Sequence, residues 1–174
     1  MENEDVPLME DWLKKTYILE WYVHPDDWLH EIKERRGEFC FIRHFITMIG
    51  RKPVGFCQYY RCSDAMEDWY GDISLDGAFS IDYLIGEEEY LGKGYGKATV
   101  LHLTETVFSL QDAKRILVQP DPENQASCRT LMACGFTYDE KNKLFYKVNP
   151  FGTVPAVSPG EVLKTGIPGH KVHG

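Results

Sequence analysis

The sequence predicts a single mixed α/β domain, and three observations carry that expectation. An apolar, strand-like run, FSIDYLIG (79–86), passes through a glycine-rich turn, YLGKGYGK (90–97), directly into an amphipathic stretch, KATVLHLTETVFSL. Strand-like and helix-like segments then alternate as far as Val148, the pattern of one mixed sheet with helices packed on it. The 174 residues, 43% hydrophobic and 13% aromatic, suffice for one sizeable core and fall short of two ordinary domains.

From the N-terminus, DVPLMEDWLKK (5–15) begins with a capping Asp5 and spaces Leu8, Met9, Trp12 and Leu13 at helical intervals. PDDWLHEIKERR (25–36) repeats the arrangement behind a Pro-marked, acidic start, with Trp28, Leu29 and Ile32 on one face. EFCFIRHFITMIG (38–50) and PVGFCQYYRC (53–62) are dense in aromatic and β-branched residues and flank GRKP, so they predict a hairpin. A polar loop, Ser63 to Asp76, leads to the strand FSIDYLIG and a helix over Gly94–Leu110. RILVQ (115–119) predicts a strand, NQASCRTLMACG (124–135) a helix closed by Gly135, and KLFYKV (143–148) a last strand. The expected order is two helices, three strands, helix, strand, helix, strand. The domain is expected to end at residue 150, because residues 151–174 hold five Gly and three Pro and read as an extension without a core. Its HKVH ending reads as an exposed polar tail rather than a metal site, and no metal is expected.

A net charge of −8 argues against a nucleic-acid surface and favours neutral or cationic partners. The five cysteines are scattered and form no C-x-x-C pair, so neither a zinc site nor a disulfide framework is expected. With no secretory-type start and no apolar run of spanning length, the expectation is a soluble cytoplasmic protein, monomer or homodimer.

The glycine-rich turn admits two readings. Amides in the first turn of a helix lack internal partners and sit at the positive end of the helix dipole, so a glycine-lined entry suits an anion. Gly92, Gly94 and Gly96 allow close backbone approach, while Lys93 and Lys97 add charge. Alone, the stretch reads better as a structural turn, and it matches neither a Walker loop nor a dinucleotide fingerprint. About thirty residues on, however, DPENQASCRTLMACGF places Asn124 and Ser127 at the start of a helix ending in Gly-Phe.

This combination resembles the GNAT acyltransferase superfamily, in which [QR]-x-x-G-x-[GA] holds the pyrophosphate of acetyl-coenzyme A and N-x-x-[AS] opens the next helix. LGKGYG fits, with Leu91 where Gln or Arg is usual. The early DVPLMEDWL, ILEWY, KPVGFCQYY with its acidic aromatic loop, and IDYLIGEEEYLGKGYG follow the order and spacing of aminoglycoside 6'-N-acetyltransferases, from about Asp5 to Val148. The resemblance implies a GNAT fold, a central twisted mixed sheet flanked by helices. It implies coenzyme contacts from Leu84 and Ile85, from Leu91, Gly92, Lys93, Gly94, Tyr95, Gly96 and Lys97 in the turn, and from Asn124 and Ser127. Two departures stand out. The family's first strand is missing before MENEDVPLM, and the tail after Pro150 is a candidate to cover that sheet edge. Leu131 stands where many members carry a tyrosine that protonates the departing thiolate, so that acid is absent, replaced or supplied by water.

Asp82 is an ionisable group inside an apolar strand, where aspartate is disfavoured. On its own it reads as a solvent-facing carboxylate; the resemblance makes it the catalytic base and ammonium anchor. An amine must lose a proton before it attacks a thioester, and a partly desolvated carboxylate can take it. Acyl transfer would be direct, with the oxyanion held by a backbone amide of the same strand. Nine acidic residues and no Lys or Arg lie between Cys62 and Gly92, a field that draws in a polycation. Trp21, Tyr22, Glu67, Trp69 and Tyr70 are the candidates to meet such a substrate beside Asp82, although the aromatic ones suit a core equally well. The leading expectation is therefore acetyl transfer from acetyl-coenzyme A to a primary amine of a small cationic acceptor, the 6'-amine of an aminoglycoside. The alternatives are a GNAT enzyme for a siderophore, polyamine or protein amine, or a non-catalytic acyl-coenzyme A-binding module.

Overall fold

The computed structural model describes residues 1–151. A short 3-10 turn leads into three helices, α1 (Val6–Trp12), α2 (Thr16–Leu19) and α3 (Pro25–Lys33). Strands β1 (Arg43–Ile49), β2 (Lys52–Arg61) and β3 (Ala78–Ile85) follow, then α4 (Tyr95–Phe108), β4 (Arg115–Val118), α5 (Gln125–Ala133), β5 (Thr137–Asp139) and β6 (Leu144–Val148). The six strands form one sheet in the order β1-β2-β3-β4-β6-β5. Only β3 and β4 run parallel, joined by the α4 crossover that such a pair requires.

Three details depart from the expectation. α2 is a single turn, too short to show a periodicity. The aromatic run from Glu38 reads as strand, but β1 begins only at Arg43, because Phe39 turns to meet His30 of α3 edge-on at 5.7 Å and pairs with Phe41 at 6.3 Å. The last strand is a hairpin, since three-residue β5 precedes β6 and carries no buried apolar residue that would mark it. Among the described residues no strand precedes α1, and β1 forms one margin of the sheet. The expected covering of that margin by the tail, and the HKVH ending, fall on residues outside those described.

Side chains alternate across β3. Phe79 and Ile81 face α4 and α5 and pack with Val100, Leu103, Val107 and Leu131. On the other face Leu84 packs with Met9, Trp12, Leu13 and Ile32 of the N-terminal helices, while Ala78 joins Cys62, Tyr70, Leu117 and Leu144. Each fully buried Leu or Ile contributes about 1.5–3 kcal/mol against leaving it exposed, so both faces hold the sheet. The N-terminal layer is locked to the end of β3 at Gly86, where a β-carbon would come within 2.1 Å of the Trp12 indole. Trp12 Nε1 donates to Glu87 Oε1 at 2.9 Å, and Lys15 Nζ and Tyr17 Oη donate to the Gly86 carbonyl at 2.6 and 2.8 Å.

Candidate active site

Pairing between β3 and β4 is short: Ala78, Phe79 and Ser80 face Arg115, Ile116 and Leu117, and beyond Ser80 no strand among the described residues lies on that side of β3. The two strands splay, and a cleft of about 640 Å³ opens between them and the N-terminal helices. The ladder to β2 decides which backbone groups face it. Gly86 N–H donates to the Val54 carbonyl, so the Phe56–Leu84 and Gln58–Asp82 pairs exchange hydrogen bonds. By alternation, Tyr83 and Ile85 turn their N–H and C=O groups towards the splayed side. Two phenols already reach the carbonyls there, Tyr22 Oη donating to Tyr83 at 2.9 Å and Tyr17 Oη sharing its one proton between Gly86 at 2.8 Å and Ile85 at 3.2 Å. Leu84 lines the cleft with its side chain, while its amide belongs to the β2 ladder. A second hollow of about 170 Å³, by Ile73 and Tyr146, brings together none of the expected residues.

At one end of the cleft the glycine turn enters α4. Gly92 and Gly94 have φ of 69° and 86°, in the left-handed region that suits glycine, and Gly94 is the N-cap. Apart from chain neighbours, no atom of the described residues lies within 4 Å of a β-carbon built on either, so the turn that leads into the first-turn amides of α4 borders open space. Leu91, Gly92, Gly94, Gly96 and Lys97 line the cleft; Lys93 and Tyr95 do not, and Tyr95 instead meets Tyr90 edge-on at 5.3 Å. Asn124 and Ser127 also line it. Asn124 caps α5, its Oδ1 accepting from Ser127 N–H at 3.0 Å, and Ser127 Oγ lies 3.0 Å from Tyr83 Oη. Lys97 and Arg129 bring positive charge to this end, and neither enters an ion pair among the described residues. These residues fit a pyrophosphate-bearing coenzyme.

Asp82 stands on the opposite face of β3, half-buried in the cleft wall. Burial pushes its carboxyl up to about 7; a bond from Gln58 Nε2 to Oδ2, 3.0 Å long, opposes this, and the negative charges of Glu31 and Glu67 add to it. Gln58 is itself 1% exposed, and its Oε1 has no partner among the described residues. Glu31 is held from α3 by His44 Nε2 at 3.0 Å. Trp21, Tyr22 and Trp28 wall the cleft, and the Tyr22 and Trp28 rings pack 4.7 Å apart. Burial and the charge of Asp82 hold the Tyr22 hydroxyl well above the ordinary phenol range.

The expected loop residues take another position. Glu67 Oε2 accepts from Tyr60 Oη at 3.1 Å, Trp69 Nε1 at 2.8 Å and Tyr70 Oη at 2.8 Å. Tyr70 is only 3% exposed and belongs to the core beneath the loop, with Trp69 packed on it at 4.1 Å. Glu67, Trp69 and Tyr70 therefore brace the loop instead of lining the cleft, although Glu67 still acts on Asp82 through its charge. The expectation did not include Tyr83, Trp28 and Arg129, which line the cleft, or Gln58 and Glu31, which act on Asp82 from behind its wall. Gln58 carried the same signal as Asp82, a polar residue within an apolar strand, and is its direct cross-strand partner.

A family model described as an acetyltransferase (GNAT) domain matches residues 2–144. The chain belongs to the GNAT acetyltransferases. This GNAT protein is 25% identical over 142 residues to the aminoglycoside N(6')-acetyltransferase type 1 of Klebsiella pneumoniae, covering 78% of its own chain and 71% of that relative. The corresponding protein of Serratia marcescens matches to the same extent. Its fold is similar to the crystal structure of aminoglycoside acetyltransferase AAC(6')-Ib in complex with coenzyme A, with a TM-score of 0.74 and 23% identity over 85% of this chain and 91% of that one. The complex of the same enzyme with coenzyme A and kanamycin gives 0.73 and 24%, over 85% and 91%. The spermidine N-acetyltransferase of Vibrio cholerae, in complex with coenzyme A and spermine, gives 0.66 and 13%, over 86% and 92%. The expected fold class and superfamily thus hold. Among the described residues no helix is long and apolar enough to cross a membrane, and no group of three metal-ligating side chains occurs.

Proposed function

We propose that this GNAT acetyltransferase moves an acetyl group from acetyl-coenzyme A directly to a primary amine of a small polycationic acceptor, the 6'-amine of an aminoglycoside. The observation that carries the reading is Asp82, a carboxylate with a pKa of about 7 in the cleft wall, on the face opposite α4 and α5. Acetyl-coenzyme A, when bound, supplies an acetyl group already activated as a thioester. The amides entering α4, with Lys97 and Arg129, hold the pyrophosphate end. The Tyr83 and Ile85 N–H groups on the splayed edge are donors for the arm that follows, and a preorganised amide there stabilises negative charge developing on the thioester oxygen.

Asp82, ionised, binds the acceptor ammonium and then accepts its proton. A base titrating near neutrality combines a large ionised fraction with a real driving force for proton transfer. Glu31 and Glu67 keep the potential around it negative, and Trp21, Tyr22 and Trp28 offer ring faces to further ammonium groups. The likeness to aminoglycoside N(6')-acetyltransferases supports this acceptor over a protein amine. The test mixes the protein with acetyl-coenzyme A and kanamycin, tobramycin, spermidine or a lysine peptide, and follows thiol release. Release with the two aminoglycosides supports the reading. Release with spermidine alone moves the acceptor to polyamines, and silence with coenzyme A still bound leaves a binding module.

A further inference from the structure

Leu131 is fully buried in the core beneath α4 and α5 and offers no hydroxyl. A long side chain on a helix leans back over the preceding turn, so a tyrosine at this position would carry its hydroxyl towards residue 127. A hydroxyl stands at residue 127 all the same, delivered by a different element: Tyr83 Oη lies 3.0 Å from Ser127 Oγ. The ring reaches there from β3, passing 3.8 Å from where a Gly96 β-carbon would sit and packing on the core cluster that contains Leu131. Tyr83 lines the cleft, next in sequence to Asp82 and on the opposite face of the strand.

We propose that Tyr83 is the general acid of this enzyme, supplying from β3 the proton that many GNAT members supply from the helix position held here by Leu131. The inference rests on the coenzyme reading above. In the transfer, the C–N bond forms as the acceptor nitrogen attacks the thioester carbon, and the C–S bond breaks with its electron pair on sulfur. The ammonium's first proton, taken by Asp82, passes to cleft water before attack; Asp82 then takes the second proton from the nitrogen as the C–N bond forms, and Tyr83 Oη gives one to the sulfur. The phenolate regains its proton from cleft water, into which Asp82 releases its own. Burial raises the Tyr83 hydroxyl above the ordinary phenol range, opposed by the neighbouring Ser127 and Thr130 hydroxyls, so it carries its proton throughout the neutral range.

The deciding experiment compares wild type and Tyr83→Phe, each saturated with coenzyme A, by following the thiolate's ultraviolet absorbance against pH. A hydroxyl donating to sulfur favours the thiolate, so the bound thiol should titrate at higher pH in the variant. With acetyl-coenzyme A and kanamycin, kcat should fall about 10²-fold or more, with little change in KM for kanamycin. An unchanged thiol titration in a variant that still binds coenzyme A overturns the assignment, whatever happens to kcat. Calorimetry showing no coenzyme A binding to the wild type would sink the coenzyme reading itself, and this inference with it.

Discussion

The two ends of the cleft are built from different materials. The end at α4 and α5 is mostly backbone: left-handed Gly92 and Gly94, first-turn amides, and a strand edge that β4 leaves uncovered. The other end is mostly side chain, with Asp82, Gln58, Glu31 and an aromatic wall converging from four segments of the chain. A backbone site tolerates sequence change wherever φ and ψ survive, which is why Leu91 can replace the usual Gln or Arg without altering the turn. A side-chain site fails when the one group that carries its chemistry is replaced. The cofactor end should therefore respond gradually to mutation and the acceptor end abruptly.

The largest expected effect is on the acceptor side. Asp82→Asn should lower kcat about 10²–10⁴-fold with coenzyme A affinity retained, as steady-state kinetics beside calorimetry would establish. In the wild type kcat/KM should rise with pH through about 7 as Asp82 ionises, and the variant should lose that limb. Stability carries the opposite sign. The folded carboxyl titrates above its unfolded value, so the folded state holds the extra proton, and stability falls as pH rises from about 4 to about 7. Asp82→Asn should accordingly melt higher than wild type at pH 8, with a smaller difference at pH 4.

Where the N-terminal layer locks onto β3, Gly86→Ala forces a β-carbon into the Trp12 indole, and the fold should lose about 1–3 kcal/mol in denaturant unfolding. At the cofactor end Gly94→Ala meets no atom, yet the left-handed φ of 86° costs about 1–2 kcal/mol. Coenzyme A affinity should weaken roughly tenfold, while relative rates across aminoglycosides stay as they were. The smallest effect is Gln58→Leu. It removes the bond that lowers the Asp82 pKa, so the rising acid limb of the rate profile should move to higher pH with the plateau little changed. An unmoved limb would detach Gln58 from the base.

This contrast also explains what could be read from the sequence. The glycine turn, the strand feeding it and the capped helix at Asn124 are local patterns, and each lies where its periodicity and caps place it. Asp82 stands out as a charge inside FSIDYLIG, but that anomaly alone reads as a solvent-facing carboxylate, and its expected role comes from the family resemblance. Glu31 was not legible, because on the surface of an amphipathic helix an acid looks ordinary; only the fold brings it to His44 and within electrostatic reach of Asp82. Trp69 and Tyr70 showed the converse, since aromatic residues in a polar loop serve a core or a cleft equally well, and here Glu67 gathers both into a brace. The start of β1 was misplaced because Phe39 and Phe41 have the composition of a strand, yet their contacts are with each other and with α3.

The splay between β3 and β4 leaves part of a sheet interior as an uncapped edge, and an uncapped edge is a template on which another extended chain can assemble. Tyr17 and Tyr22 reach the Ile85 and Tyr83 carbonyls on that side, so an incoming strand would find half of its hydrogen-bonding ladder already taken. The same two phenols leave the N–H groups of those residues free. The gap thus offers donors to a ligand, while a strand that needs donors and acceptors in alternation would find its acceptors already engaged.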